Sequence, residues 1–248
     1  MTSKAKTNKE LCTFSLTTYS SYEENLKQLI TIIEKSFNNS ILLFPEVCLT
    51  GFDYENIEKA IEFTANAIEL LLSKTKNRTI VFTAFNKVNK QIYNTVYVIH
   101  NRKIVHKQSK VKLFKLGNED KYFTSGHSEE IVCFTIDNIS FAVLVCFELR
   151  FKELWKKIEG SDIILIPAQW GKIRSEHFKI LTQSLAVMNQ CYVMACDANN
   201  SDTTGINIIT TPFGITHQNN TIFEKSEIKK MRRYLDVGIK FKEINDAK

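Results

Sequence analysis

Short apolar runs alternate along this chain with segments of helical period, and two hairpins interrupt the alternation. That pattern confines the chain to layered α/β folds with a mixed sheet. Residues 11–18 read as a first strand. Ser21-Tyr-Glu-Glu24 has the form of a capping box, and Leu26, Leu29, Ile30, Ile33 and Phe37 follow it at helical spacing. Residues 41–44 form a buried strand. Residues 57–75 form a second helix, with Ile57, Ile61, Thr64, Ile68, Leu71 and Leu72 on one side. A strand over 79–85 leads to a hairpin of 92–99 and 103–106, turning at 100–102. A second hairpin pairs 131–136 with 140–145 and turns at Asp137-Asn138. A short helix over 152–158, a strand over 163–166 and a helix over 177–189 follow; the last presents Phe178, Leu181, Leu185 and Met188. Strands over 192–196, 206–211 and 215–223 complete the pattern. No internal repeat, low-complexity linker or Pro/Gly-rich break divides it, so 11–236 reads as one domain between a flexible tail 1–10 and a C-terminal tail 237–248.

The chain of 248 residues is long enough for one sizeable core. Apolar residues make up 44% and charged residues 24%, the balance of a globular rather than a disordered chain. No window approaches the roughly 18 apolar residues of a membrane span. The first ten residues lack the apolar core of a signal peptide, which points to the cytoplasm. The net charge is +6, with lysines gathered in the first ten residues and between Lys225 and Arg233. Glu224, Glu227 and Asp236 are interspersed there and no zinc-finger or RNP signature occurs, so no nucleic-acid partner is expected. The positive potential would instead help recruit an anionic substrate. Six cysteines form no C-x-x-C pair, and a cytoplasmic chain keeps them reduced. Cys12, Cys133, Cys191 and Cys196 lie in apolar runs as buried fillers, and Cys48 lies near Glu46. Five histidines show no metal-ligand spacing, and eight glycines form no phosphate-cradling loop, so neither metal nor cofactor is expected.

Three segments carry chemistry. In Phe141-Ala-Val-Leu-Val-Cys-Phe-Glu-Leu-Arg-Phe151, a β-rich run ends at Cys146, where a strand-to-loop junction can aim a nucleophilic thiol into a pocket. A buried filler thiol is the plainer reading of that segment alone. In Ile41-Leu-Leu-Phe-Pro-Glu-Val-Cys-Leu-Thr-Gly-Phe52, Pro45 breaks the ladder and Glu46 follows, flanked by apolar residues. Desolvation would raise the pKa of such a carboxylate and suit it to general-base work. In Lys107-Gln-Ser-Lys-Val-Lys-Leu-Phe114, one of three lysines beside a thiolate would lower the thiol pKa and stabilise an oxyanion.

Together these segments resemble the nitrilase superfamily of carbon–nitrogen hydrolases, whose members carry Glu, Lys and Cys in this order. Phe44-Pro-Glu-Val-Cys-Leu-Thr-Gly51, Lys110-Val-Lys-Leu-Phe114 and Cys146-Phe-Glu-Leu-Arg-Phe151 look like its three motifs. Tyr93-Asn-Thr95, Glu119, Phe123, Gly126, the run from Asp162 to Trp170, Arg174, His177 and Asn189-Gln-Cys-Tyr-Val193 also fit. So do Gly205, Pro212 and Gly214, which carries the match from about Leu11 to about Asp236. Ala168-Gln-Trp170 with Arg174 and His177 is most similar to the bacterial omega-amidase-like branch, which acts on 2-oxo acid amides.

The resemblance implies a four-layer αββα sandwich with two mixed sheets and a homodimer paired through outer helices, to which Leu185 and Met188 would contribute. It implies a cysteine amidase with Glu46 as general base, Cys146 as nucleophile and Lys110 with the Phe147 N–H as oxyanion donors. Glu119 would orient Lys110 or the substrate, Trp170 would wall the pocket, Arg174 would hold a substrate carboxylate, and His177 would be structural. Phe147, Glu148, Lys112, Lys152 and Asn207 depart from the family pattern, and Leu185 and Met188 replace an Arg–Glu pair. A different C–N substrate, such as an N-carbamoyl amine or an aliphatic amide, and a non-catalytic scaffold remain the competing expectations.

Overall fold

The computed structural model describes residues 9–241; most of both expected tails lies outside them. The strands in chain order are β1 (Glu10–Thr13), β2 (Ser40–Leu43), β3 (Thr79–Val88), β4 (Gln91–His100), β5 (Lys103–Ser109), β6 (Phe134–Ile136), β7 (Ile139–Val143), β8 (Ile163–Ala168), β9 (Tyr192–Asp197), β10 (Asn207–Thr210), β11 (Thr216–Gln218) and β12 (Asn220–Ile222). The helices are α1 (Tyr22–Lys35), α2 (Ile57–Lys74), α3 (Glu119–Tyr122), α4 (Lys152–Lys157), α5 (Ser175–Met188) and α6 (Lys225–Tyr234). Among these residues no helix is long and apolar enough to cross a membrane.

Two six-stranded sheets form, ordered β12-β1-β2-β3-β4-β5 and β11-β10-β9-β8-β7-β6. Each is mixed: β1, β2 and β3 run parallel, as do β7, β8 and β9, and antiparallel strands complete both edges. The period of two divides each strand between layers. Leu11, Ile41, Leu43, Val81 and Val96 of the first sheet meet Phe141, Val143, Leu165 and Val193 of the second in the central core. Cys12, Leu42, Phe44, Ile80 and Phe82 face the other way, against Leu29 and Ile33 of α1 and Ala67, Ile68 and Leu71 of α2. Phe178, Leu185 and Ala186 of α5 and Ile228 of α6 cover the second sheet. Helices thus flank both sheets, giving the four layers expected. Each fully buried Leu or Ile contributes about 1.5–3 kcal/mol before chain entropy is counted.

Local signals were largely sound. Ser21 caps α1 by accepting from the Glu24 N–H, and both expected hairpins turn on residues with positive φ, Asn101-Arg102 and Asp137-Asn138. Four expectations need correction. Phe37 lies beyond α1 and is 74% exposed. The first strand ends at Thr13 rather than 18, because the following residues turn to hold the loop after β9; the Leu16 carbonyl accepts from the Asn199 N–H. The run 215–223 is two strands in different sheets, split at Asn219, whose φ of 67° breaks the ladder. Glu10, assigned to the tail, begins β1 beside the buried Lys9, which pairs with Asp137 at 2.7 Å.

Candidate active site

The C-terminal ends of parallel strands, the usual place for a ligand in α/β sheets, carry the glutamate and cysteine motifs, and the lysine motif joins them from the end of β5, an antiparallel edge strand. Glu46 follows β2, Cys146 follows β7, and Gln169 follows β8. Two sharp turns set them. Val47 has φ 43° and Cys146 φ 47°, a left-handed conformation that is costly for residues with a Cβ, most of all a branched one. At the first turn the Val47 N–H donates to Thr83 Oγ1 at 2.8 Å. The second opens the 3-10 turn Cys146–Arg150.

Glu46 and Lys110 are fully buried, and Glu119 nearly so. Lys110 Nζ donates to Glu46 Oε1 at 2.8 Å and to Glu119 Oε1 at 2.7 Å. Glu46 Oε1 also accepts from Asn94 Nδ2 at 2.7 Å, and its Oε2 from the Gln169 N–H at 3.1 Å. Glu119 Oε2 accepts from the Phe114 N–H at 3.0 Å. Burial works against the Lys110 charge, yet Glu46 and Glu119 outweigh it and hold the ammonium above its usual range. Burial raises the Glu119 carboxyl, with Lys110 opposing. Gly126 completes the lysine's seat. Its N–H donates to the Lys110 carbonyl at 2.9 Å, and a Cβ there would lie 2.4 Å from the Ser109 carbonyl oxygen.

The thiol departs from expectation. Burial, and then the Glu46 carboxylate, push Cys146 well above the usual thiol range, and Lys110 only partly offsets them. A lysine already held by two carboxylates does not make a resting thiolate. Cys146 Sγ lies 3.6 Å from the Gln169 carbonyl oxygen.

Cys146 opens into a narrow cleft lined by Phe114, Phe147, Arg150, Gln169, Trp170, Gly171 and Arg174. Trp170 is held at its edge by two hydrogen bonds. The Trp170 N–H donates to Asp197 Oδ1 at 2.6 Å and its indole Nε1 to the Arg174 carbonyl at 2.8 Å. Arg174 reaches the cleft, 5.4 Å from the Phe114 ring centroid. His177 is exposed, with Nδ1 3.2 Å from Arg150 Nη2. Phe147 packs at 5.1 Å on Phe114 and 5.2 Å on Phe151. Lys112 turns to Glu153 at 3.1 Å. The replaced Arg–Glu pair splits between environments: Leu185 is in the core and Met188 is 64% exposed, so Leu185 cannot serve a helix-face interface.

Of four supporting residues, Asn94, Gln169 and Glu148 lie in the motifs that carry the resemblance but have no role assigned from sequence, and Asp197 carries no signal at all. The buried Glu148 ties the lysine segment to the cysteine elbow. Its Oε1 accepts from the Val111 N–H at 2.6 Å and its Oε2 from the Val145 N–H at 2.7 Å. Burial still raises its carboxyl to about 7 from 4.5. A folded pKa above the unfolded one favours the fold below about pH 4.5 and loses that contribution as pH rises through about 7. Glu148→Gln is expected to lower the thermal midpoint overall and to flatten its fall between about pH 5 and about pH 8. An unchanged slope in thermal melts would remove Glu148 as the source.

The family model for carbon-nitrogen hydrolase matches residues 12–227. The chain belongs to the carbon–nitrogen hydrolase family. This carbon–nitrogen hydrolase is 29% identical over 208 residues to the 2-oxoglutaramate amidase of Bacillus subtilis (strain 168), covering 79% of this chain and 80% of that one. It is 25% identical over 183 residues to the omega-amidase YafV of Escherichia coli (strain K12), covering 73% and 70%. Its fold superposes with a TM-score of 0.76 on XC1258 of Xanthomonas campestris, a CN-hydrolase superfamily protein with an arsenic adduct in its active site, at 18% identity over 92% and 94% of the two chains.

Proposed function

We propose that this carbon–nitrogen hydrolase is a cysteine-dependent amidase that releases ammonia from small 2-oxo acid amides through a thioester. The observation that carries the reading is the buried Lys110 ammonium held between Glu46 and Glu119 beside the elbow thiol of Cys146. A protonated thiol needs a base, and of the carboxylates that act on Cys146 the Glu46 charge acts most strongly. Glu46 takes the Cys146 proton as sulfur attacks the amide carbon. The carbonyl oxygen becomes an oxyanion, stabilised by Lys110 and the Phe147 N–H. Collapse breaks the C–N bond, Glu46 returns its proton to the leaving ammonia, and the acyl group remains on sulfur. Glu46 then takes a proton from water as its oxygen attacks the thioester carbon; collapse breaks the C–S bond, Glu46 returns that proton to the Cys146 sulfur, and the acid product leaves and ionises to its carboxylate. Glu119 orients Lys110. Trp170 and Arg174 hold the acyl chain, with the Arg174 guanidinium on its carboxylate. The likeness to 2-oxoglutaramate amidase supports that choice of substrate.

The enzyme acts in the cytoplasm, consistent with six free cysteines, and pairs into a homodimer through the outer face of α5. Ile180, Val187 and Met188 are exposed on α5, and Gly214, between the exposed Phe213 and Ile215, approaches Val187; these apolar side chains suit a second copy. Sedimentation as a single chain would overturn that assembly.

The deciding experiment is ammonia release from 2-oxoglutaramate, 2-oxosuccinamate, glutamine, an N-carbamoyl amine and a simple aliphatic amide, with wild type and Cys146→Ala. Cys146-dependent turnover highest on the 2-oxo acid amides is the expected result. Activity retained by Cys146→Ala would end the mechanism, and a different best substrate would move the specificity.

A further inference from the structure

Two consecutive amides after β8 are each held by a buried carboxylate from a different sheet. The Gln169 N–H donates to Glu46 Oε2 at 3.1 Å, and the Trp170 N–H donates to Asp197 Oδ1 at 2.6 Å. Glu46 follows β2 of the first sheet, and Asp197 ends β9 of the second. One residue back, the Ala168 carbonyl accepts from the Glu46 N–H at 3.2 Å and from the Ala198 N–H at 3.3 Å. The Gln169 carbonyl faces the Cys146 sulfur at 3.6 Å. That carbonyl and the Trp170 N–H are the two edges of one peptide group. Asp197 therefore grips the amide whose other edge touches the nucleophile, and Glu46 grips the amide before it.

Asp197 is itself firmly seated. It is fully buried, its N–H donates to the Ile206 carbonyl at 2.8 Å, and its carbonyl accepts from the Ser15 hydroxyl at 2.7 Å. Its second carboxylate oxygen accepts from the Thr204 N–H at 2.7 Å and from the Thr204 hydroxyl. The partners of the carboxyl are all donors, which suits an ionised, acceptor-only group. Burial raises it to about 6 from 3.8, with donors from Thr204, Trp170 and Ala198 opposing, so it is ionised at neutral pH. Because a peptide group is planar, fixing its N–H also fixes where its C=O points. A carboxylate on the N–H polarises the amide and strengthens the C=O as an acceptor.

We propose that Asp197 is a positioning residue of the reaction: through the rigid Gln169–Trp170 amide it fixes the Cys146 thiol against Glu46 for proton transfer. The proposal deepens the amidase reading and rests on its roles for Glu46 and Cys146. Asp197→Ala is expected to lower kcat about 10²-fold while KM stays within about threefold, because alignment is lost and the cleft wall is kept. Asp197→Asn retains one acceptor oxygen and is expected to recover part of that loss. Both variants remove a charge that raises the Cys146 thiol, so iodoacetamide at neutral pH should alkylate Cys146 faster than in wild type. Rates are read on the Cys146 peptide by mass spectrometry.

A folded Asp197→Ala with wild-type kcat, or with a change in KM alone, overturns the proposal. Slower alkylation together with lost kcat also overturns it, since that marks a distorted site. Where neither variant folds, wild type decides. The chain has two tryptophans, so isotopic labelling of tryptophan nitrogen gives two backbone amide signals by NMR. The Trp170 N–H, on a carboxylate at 2.6 Å, should lie downfield of the Trp155 N–H, which meets the Phe151 carbonyl at 3.4 Å. Alkylation of Cys146 by iodoacetamide is expected to move the Trp170 signal and leave that of Trp155. An unmoved Trp170 signal overturns the link through the amide. A moving signal with no turnover on any amide removes the amidase reading and leaves the link standing; turnover with an unmoved signal does the reverse.

Discussion

Lys110→Met is expected to lose turnover and stability together. Methionine matches the length of the lysine stem, so packing changes little. What disappears is the ammonium that neutralises Glu46 and Glu119, 2.8 Å and 2.7 Å away. Removing one member of a buried ion network leaves uncompensated charge and costs about 3–5 kcal/mol. Loss of an oxyanion donor costs a further factor of about 10²–10³ in kcat. The stability loss should depend on pH. With Lys110 gone, burial at Glu119 is no longer opposed by the ammonium, and the folded pKa of that carboxyl rises further above the unfolded value. Such groups favour the fold at low pH and lose that contribution as pH rises. The variant is therefore closest to wild type near about pH 5 and furthest from it near about pH 8. Thermal melts across that range, with ammonia release beside them, check both parts. A midpoint equal to wild type at both pH values would mean that the ammonium does not hold these carboxylates together.

Glu46→Gln is expected to separate thiol reactivity from turnover. General-base catalysis contributes about 10²–10⁴, and loss of the base on both half-reactions should take turnover to the high end of that range. The thiol should respond in the opposite direction. After burial, the Glu46 carboxylate is the strongest influence raising Cys146, and Lys110 is the one lowering it. Glutamine removes the first and frees the second from one of its two partners. Iodoacetamide at neutral pH should then alkylate Cys146 faster than in wild type, while ammonia release is nearly gone. A variant that alkylates more slowly, or that still turns over at the wild-type rate, would displace Glu46 from the role of base.

Much of this molecule was legible in its sequence. The unbroken apolar run of residues 41–44 and the helical period of 57–75 depend on local burial, and α2 runs Ile57–Lys74. Turn chemistry was local as well: Asp137-Asn138 and Asn101-Arg102 accept positive φ, and both hairpins form. Where burial and charge mixed, the pattern failed. Helix α6 carries Lys225, Lys229, Lys230, Arg232 and Arg233 and reads as a basic surface, yet Ile228, Met231 and even Arg232 are buried. The single run 215–223 contains nothing that says its halves join different sheets, because sheet membership is decided by partners far away in the chain.

The same division holds at the site. Glu46 and Cys146 stood out because each sits at the abrupt end of an apolar run, and Lys110 because its lysine stretch leads into Leu113 and Phe114, signals carried by neighbours in sequence. Their order and local settings determined the family and the layered fold. Only the tertiary structure decided their charge states. A lysine beside a cysteine suggests an acidic thiol, but Glu46 and Glu119 from elsewhere in the chain already engage that lysine, and burial keeps the thiol protonated. Tertiary contacts likewise made Glu148 the tie between two loops and set Arg150 beside Arg174. Periodicity and turns are properties of adjacent residues and can be read along the chain. Desolvation and pairing are sums over distant residues, and they exist only once the two sheets have closed on each other.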